Sequence, residues 1–179
     1  MQIERSPNGA ILVTIDVVGQ YPHIPREEGL QAISEALNRR IIPDIPTERL
    51  MELAQVVLEN NNFEFNGHHF LQKLGTATGT RMASTYTNLF MDRLENSLLG
   101  GYHKKPHTWL RFIDDIFMIW TEGEKELKNV FSYLNGAHDT IKFTWDWPHK
   151  SVNYLDLTII SDNGNFTTDL FVKPTDKNC

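Results

Sequence analysis

The sequence has only one cysteine and no long apolar run. Cys179 is the last of 179 residues, so no disulfide can form within the chain and thiolates cannot build a zinc cluster. No apolar stretch approaches the roughly 18 residues that cross a bilayer, and the N-terminal segment MQIERSPNGA lacks the apolar core of a signal peptide. We therefore expect a soluble, intracellular protein with no membrane partner.

Positive charge is also scarce. Lys and Arg number 17 against 23 Asp and Glu, which gives a net charge of -6. Surplus basic side chains usually grip phosphate backbones, so this balance counts against tight autonomous binding of nucleic acid. Several acidic side chains converging on a metal ion would explain part of the excess. The sequence shows no repeat and no low-complexity tract, so we expect one domain over residues 1–179.

The spacing of apolar residues predicts an α+β fold. The β-branched run ILVTI at 11–15 predicts a buried strand that leads into Asp16. Asn66-Gly67 between aromatic segments predicts a hairpin near 63–72. The remaining pattern predicts four helices: one after Pro25, one after Thr47, one from 84 to 99 and one that ends just before Gly136. It also predicts two short strands within 109–120, one strand at 141–147 and one on each side of 162–164. We expect an antiparallel sheet with helices packed on one face.

Two adjacent aspartates, Asp114 and Asp115, separate the apolar segments of FIDDIF. Like charges about 4 Å apart repel by roughly 4 kcal/mol at an effective dielectric near 20, so the pair needs solvent or a cation. Because Asp is common in turns, the pair alone fits a solvated turn equally well, and Asp16 alone fits a strand-end cap. If the two segments are neighbouring strands, however, the three carboxylates form a cup that suits magnesium and nucleotidyl transfer.

Four sequence blocks identify a resemblance. In chain order they are LVTIDVVGQYPHIPREEGL, QKLGTATGTRMASTYTNLFMDRLE, RFIDDIF, and NYLDLTI with LFVKPTDKN. They resemble the reverse-transcriptase domain of Penelope-like retroelements, which are related to telomerase reverse transcriptase. In that family the blocks carry the first catalytic aspartate, the turn and helix that support nucleotide and template, the paired aspartates, and the approach to the primer grip. The resemblance therefore implies a polymerase palm.

The resemblance implies an RNA-directed DNA polymerase that adds dNTPs to a DNA primer on an RNA template. Asp16 and Asp114 would bridge two Mg²⁺ ions, for which Mn²⁺ can substitute, with the backbone carbonyl of Val17 as a further ligand. Asp115 would contribute to the same acidic cup. We expect an intracellular, nuclear location for such a protein.

Four further residues would contact the nucleotide, and each has an ordinary alternative. Tyr21 would exclude a ribose 2′-hydroxyl, although it also fits a packing tyrosine. Gly79 would allow close approach of the nucleotide or template, although turn geometry also explains it. Arg81 would meet phosphate or remain solvated. Lys142 would protonate pyrophosphate, or would simply point outward from a strand.

The sequence departs from the family pattern at Gln20, Thr78 and Ser84. The family's upstream fingers and downstream thumb are also not recognisable, so we expect a fragment of a longer polyprotein. A catalytically inactive, nucleic-acid-binding remnant is the alternative function, and a telomerase-like or RNA-templated RNA polymerase is a third. Tyr21 argues against ribonucleotide use. The adjacent His68 and His69 lack partner ligands at suitable spacing and are interpreted as hairpin surface residues.

Overall fold

The computed structural model describes residues 7–148, 150–162 and 164–172. Within these ranges the chain forms five helices and nine strands. The helices are α1 (Gln20–His23), α2 (Arg26–Asn38), α3 (Thr47–Glu59), α4 (Ala83–Gly101) and α5 (Gly123–Gly136). The strands are β1 (Ile11–Val17), β2 (Asn62–Phe65), β3 (His68–Leu71), β4 (Thr108–Phe112), β5 (Asp115–Trp120), β6 (Phe143–Asp146), β7 (Ser151–Tyr154), β8 (Leu157–Asp162) and β9 (Asn165–Leu170).

These elements belong to two compact units. The sheet unit contains β1, β4 to β9 and α5, from the described parts of Met1–Val18, Tyr102–His138 and Lys142–Cys179. The helical unit contains α1 to α4 and the β2–β3 hairpin, from Gly19–Gly101 with Asp139–Ile141. In the ranges that the structure describes, no helix combines the length and the apolar character needed to cross a bilayer.

The sheet unit is built on an antiparallel sheet in the order β4-β5-β1-β6. Successive side chains of a strand point to opposite faces, and both central strands carry an apolar set on one face. That set is buried and comprises Val13, Ile15, Val17, Ile116, Met118 and Trp120. Helix α5 packs on this face, where the Phe131 ring stacks on Trp145 with centroids 4.1 Å apart. One of the predicted helices therefore packs on this face.

A second, three-stranded sheet covers part of the opposite face. Strands β7, β8 and β9 form antiparallel pairs in that order. Val152 and Ile159 of this sheet join Leu12, Phe117 and Ile119 of the larger sheet in one buried cluster. The part of the face beyond this cluster, where Asp16 and Asp115 lie, stays exposed.

The helical unit is organised by the packing of α2 on α4 and of α2 on α3. Gly29 of α2 touches the Tyr86 ring of α4 so closely that a Cβ built on the glycine would overlap that ring. Tyr86 is fully buried, its hydroxyl has no hydrogen-bond partner among the described residues, and burial raises its pKa to about 12. The two helices therefore meet at a position that accepts no side chain.

The predicted mixture of helix and antiparallel sheet is confirmed. The Asn66-Gly67 hairpin is also confirmed, and both of its turn residues have the positive φ that a type I′ turn requires. His68 and His69 are exposed on it, as predicted. The sequence did not predict two elements, the short α1 and β7. Asn163 and the segment KPTDKN of the fourth block lie outside the described residues.

We expect Gly29→Ala to destabilise the protein by about 2 kcal/mol, the range found for overpacked cores, because the new methyl group meets the Tyr86 ring. Gly100→Ala is the matched control, since Gly100 is an exposed residue of α4 with no atom within 4 Å of a built Cβ. It should be neutral or stabilising by up to about 1 kcal/mol. Urea unfolding measures both changes, and equal effects of the two would contradict the close packing.

Candidate functional site

Asp16 and Asp115 lie directly opposite each other on neighbouring antiparallel strands. The amide of Val17 donates a hydrogen bond to the carbonyl of Asp114 at 3.0 Å, which makes Asp16 and Asp115 a non-hydrogen-bonded pair of the ladder. Opposite residues in such pairs have Cα atoms only about 4.5 Å apart and side chains on the same face. The register therefore brings two carboxylates together on the exposed part of the sheet.

Asp114 is held beside this pair by a tight turn. Phe112 and Asp115 face each other across β4 and β5, so only Ile113 and Asp114 form the connection. Ile113 has a φ of 54°, the conformation that favours glycine at the first position of a type II′ turn. For a β-branched residue this backbone is strained, at a cost of about 1–3 kcal/mol. The guanidinium of Arg111 donates a hydrogen bond to the Ile113 carbonyl at 3.1 Å and helps to hold the turn.

Asp114 acts electrostatically on Asp16. Burial of part of the carboxyl group, and next the negative charge of Asp114, raise the pKa of Asp16 above its ordinary value. Asp16 nevertheless remains exposed to solvent. A raised carboxyl pKa means that the folded site disfavours its own negative charge. A cation at the site would remove this penalty.

Further polar residues surround the two facing carboxylates in a shallow groove. Thr144 lies opposite Asp16 on β6, and Asp146 lies opposite Thr14 two residues away on the same face. Asn153 of β7 also lines this groove. Sequence reasoning missed Thr144, Asp146 and Asn153. The alternation within FTWD was a usable signal for the first two, because it places Thr144 and Asp146 on one face of a strand.

Tyr154 is another neighbour that sequence reasoning missed. The centroid of its ring lies 5.6 Å from that of the Phe117 ring. Its hydroxyl donates a long hydrogen bond of 3.4 Å to the Leu110 carbonyl. Burial and the nearby charge of Asp115 raise the pKa of the Tyr154 hydroxyl, while Arg111 acts in the opposite direction. The end of β7 therefore lies beside the acidic face.

Lys142 is engaged at the end of α5. Its Nζ donates hydrogen bonds to the carbonyls of Asn135 and His138 at 2.8 and 2.7 Å. Asn135 belongs to the last turn of α5 and His138 lies two residues beyond its end, where a positive charge is favourable. The contact of Lys142 with pyrophosphate stays a prediction, and in the structure this ammonium stabilises a helix end.

The other predicted nucleotide contacts belong to the helical unit. Tyr21 is half-buried in α1, and its carbonyl accepts a hydrogen bond from the Thr76 amide at 3.0 Å. Gly79 is exposed, has no positive φ, and has no heavy atom within 4 Å of a built Cβ. Arg81 is exposed in the turn before α4. Folding alone therefore does not require glycine at 79, and the roles of all three residues stay predictions.

The donor set at the acidic face fits a divalent cation. Magnesium in nucleotide enzymes is typically held by one or two carboxylates together with substrate phosphates, and Asp16 and Asp115 meet that requirement with Asp114 close by. Among the described residues, no group of three or more His, Cys, Asp or Glu side chains is arranged to hold an ion unaided. Within the part of the chain that the structure describes, the acidic face therefore supplies only part of an ion's ligand set.

An antiparallel sheet with a helix packed on one face and aspartates facing each other across two central strands is the arrangement expected of a polymerase palm. Residues 1–145 match the family described as reverse transcriptase (RNA-dependent DNA polymerase). The chain belongs to this family. No functionally curated protein matches the sequence significantly.

Solved polymerases share the fold at low sequence identity. Apo telomerase from Candida tropicalis, truncated from the C-terminal domain, is 13% identical with a TM-score of 0.67, and the match covers 89% of this chain and 35% of that one. Telomerase from Candida albicans with the TWJ fragment of telomeric RNA is 10% identical with a TM-score of 0.70, and the match covers 97% of this chain and 33% of that one. The RNA-dependent RNA polymerase of BmCPV is 14% identical with a TM-score of 0.59, and the match covers 90% of this chain and 16% of that one. The palm fold is confirmed, and the chain spans about a third of the telomerases it matches.

We expect Asp16→Asn to stabilise the protein at pH 7. Because the pKa of Asp16 is raised in the folded protein, its contribution to the free energy of unfolding is fully present below about pH 4, where aspartate in the unfolded chain is protonated. This contribution is lost as the pH rises through the pKa of Asp16 in the folded protein. Removing the charge should restore about 0.5 kcal/mol, a size suited to an exposed site. Chemical unfolding at pH 7 and pH 3.5 checks this, with exposed Asp162→Asn as control. A gain that is equal at both pH values would contradict it.

We expect Lys142→Met to lower the free energy of unfolding by about 0.5–1 kcal/mol, because two helix-end carbonyls lose a charged donor. Lys128→Met removes the same charge from an exposed position within α5 and serves as control. Urea unfolding at low and high salt measures both variants. Indistinguishable stabilities would show that the Lys142 contacts contribute nothing.

Proposed function

We propose that this chain is the palm of an RNA-directed DNA polymerase, which transfers deoxynucleotides from dNTPs to a primer 3′-hydroxyl on an RNA template. The observation that carries the proposal is the pairing of Asp16 with Asp115, with Asp114 in the adjoining turn, in a chain of the reverse transcriptase family. Three acids brought together despite their repulsion are a feature that folding alone does not favour.

Asp16, Asp114 and the Val17 carbonyl would hold two Mg²⁺ ions, or Mn²⁺ in their place, with Asp115 on the same acidic face. When bound, the ions supply positive charge that stabilises the attacking and leaving oxygens of nucleotidyl transfer. The strained Ile113 turn and the ladder bond from Val17 to Asp114 keep the carboxylates in place before substrate arrives. Catalysis of this kind depends on positioning and electrostatics.

The preference for deoxynucleotides is assigned to Tyr21 by its place in the first sequence block, where a bulky ring leaves no space for a 2′-hydroxyl. Gly79, Arg81 and Lys142 would contact the nucleotide, Lys142 after leaving its helix-end carbonyls. An RNA template is supported by family membership. The Candida albicans telomerase, solved with a fragment of telomeric RNA, supports RNA as a partner. The four blocks support a Penelope-like retroelement as the source.

We also propose that the chain works within a larger polymerase. It spans 35% and 33% of the two telomerases, so template and primer binding would draw on fingers and thumb segments of a longer polyprotein. That division of labour would explain how a palm with a net charge of -6 takes part in nucleic-acid chemistry. The nuclear location stays a prediction.

Primer extension tests the proposed function. An RNA template, a DNA primer, dNTPs and Mg²⁺ are supplied to the chain alone and to a form joined to fingers and thumb segments. We expect extension by the longer form, reduced at least about 100-fold by Asp114→Ala because a metal-binding carboxylate is lost. Asp44→Ala, in the exposed loop between α2 and α3, is the matched control and should extend normally.

Two outcomes would contradict the proposal. Extension that survives Asp114→Ala would remove the acidic face from the mechanism. A longer form that binds template and primer but extends neither RNA-templated nor DNA-templated primers would favour the inactive remnant. Robust extension by the 179-residue chain alone would refute only the need for further segments.

A further inference from the structure

Gly75 lies against the backbone of the short helix that carries Tyr21. Its amide donates a hydrogen bond to the Ile24 carbonyl at 2.9 Å, and the next amide, that of Thr76, donates to the Tyr21 carbonyl at 3.0 Å. Both Gly75 and Thr76 are buried. The loop before α4 is therefore joined to α1 by two backbone hydrogen bonds.

Only glycine fits at position 75, for two independent reasons. Its φ of +63° lies in the left-handed region, which side chains disfavour. A Cβ built there would overlap the Tyr21 carbonyl oxygen and lie 2.6 Å from Pro22 Cα. Because both obstacles are backbone atoms and not flexible side chains, α1 or the loop that carries Gly75 would have to move to accept even a methyl group.

Helix α1 depends on such contacts for its position. It is a single turn of four residues without a side-chain cap, far too short to be stable alone. The carbonyls at its C-terminal end bind donors from elsewhere in the helical unit: Thr76 and Gly75 supply amides, and the Thr140 hydroxyl donates to the His23 carbonyl at 2.6 Å. Two of these three donors come from the Gly75 loop.

The loop itself is held firmly on its other side. The Thr76 and Thr80 hydroxyl oxygens lie 3.2 Å apart, and both the amide and the hydroxyl of Thr80 donate to the Ala77 carbonyl at 3.1 Å. The Thr80 carbonyl in turn accepts the Ala83 amide at 3.0 Å, at the start of α4. A continuous set of hydrogen bonds thus links the Tyr21 backbone to a long, well-packed helix.

From these contacts we propose that Gly75 is a positioning residue for Tyr21, and that its contact with α1 sets how strictly the enzyme rejects ribonucleotides. The inference rests on the proposed function, in which Tyr21 excludes the 2′-hydroxyl. A side chain that rejects a substrate by filling space stops rejecting it when the side chain moves by less than its own length. A difference of one methylene group in a pocket changes the ratio of kcat/KM values for two substrates by about 10–200-fold. Gly75 acts through the position of Tyr21 and touches no substrate.

The activity test compares the ratio of kcat/KM for a dNTP to that for the matching rNTP, in the polymerase form that extends primers. Gly75→Ala should lower this ratio about tenfold, in the same direction as Tyr21→Ala. Gly67→Ala is the matched control, since Gly67 has a comparable φ of +75° but no atom within 4 Å of a built Cβ. It carries the same backbone strain and should leave the ratio unchanged.

Thr76→Val is a milder variant for the case that Gly75→Ala does not fold. It keeps the side-chain shape and removes only the hydroxyl contact with Thr80, so the ratio should fall in the same direction by a smaller factor. If Tyr21→Ala lowers the ratio while Gly75→Ala, or Thr76→Val in its place, leaves it unchanged, the inference is wrong.

A second readout separates this inference from the proposed function. Hydrogen–deuterium exchange in the 179-residue chain reports on residues 20–25 without any catalysis. Exchange there should rise in Gly75→Ala and stay unchanged in Gly67→Ala. If no form extends primers, the proposed function fails, yet the exchange result still decides the contact: a local increase supports positioning by Gly75, and an unchanged pattern overturns it.

Discussion

The register of β1 against β5 decides which side chains share a face of the central sheet. A slip of one residue would turn Asp16 toward the core and bring Ile15 out to solvent, because side chains alternate along a strand. The register is pinned by the buried face, where Val13, Met118 and their neighbours leave no room for a polar residue. The meeting of two aspartates is thus a consequence of how the apolar residues behind them pack.

The acidic face opposes folding in two separate ways. Asp16 and Asp115 place like charges directly across a ladder, which is an unfavourable cross-strand pair. Ile113 occupies a left-handed turn position that suits glycine. Unfavourable charge pairs and turn conformations of this kind occur mainly where function requires them. The buried apolar residues of both central strands offset the free energy that they cost. The proposed chemistry therefore uses the exposed end of a face whose other residues, Leu12, Phe117 and Ile119, are buried against the second sheet.

Much of the fold followed from local patterns, while the surroundings of the site did not. The strand before Asp16 and the hairpin at Asn66-Gly67 are encoded within a few residues each, by β-branched runs and turn chemistry. The facing of Asp16 and Asp115 needed one assumption, that the two strands are neighbours. Asn153 could not be placed, because it reaches the groove through a packing of two sheets that no short pattern records. For Lys142 the sequence left two alternatives open, a contact with pyrophosphate or an outward position on a strand, and only the structure shows the helix end that it contacts.

The edge strand β6 is closed by a side chain at one point. The Asn135 amide group pairs with both polar groups of the Phe143 backbone, donating to its carbonyl at 2.9 Å and accepting from its amide at 2.7 Å. Edge strands with free backbone groups are templates on which other chains can add, and they promote aggregation. At Phe143 the asparagine takes the place that a further strand would occupy, so the sheet cannot be extended there by a second molecule.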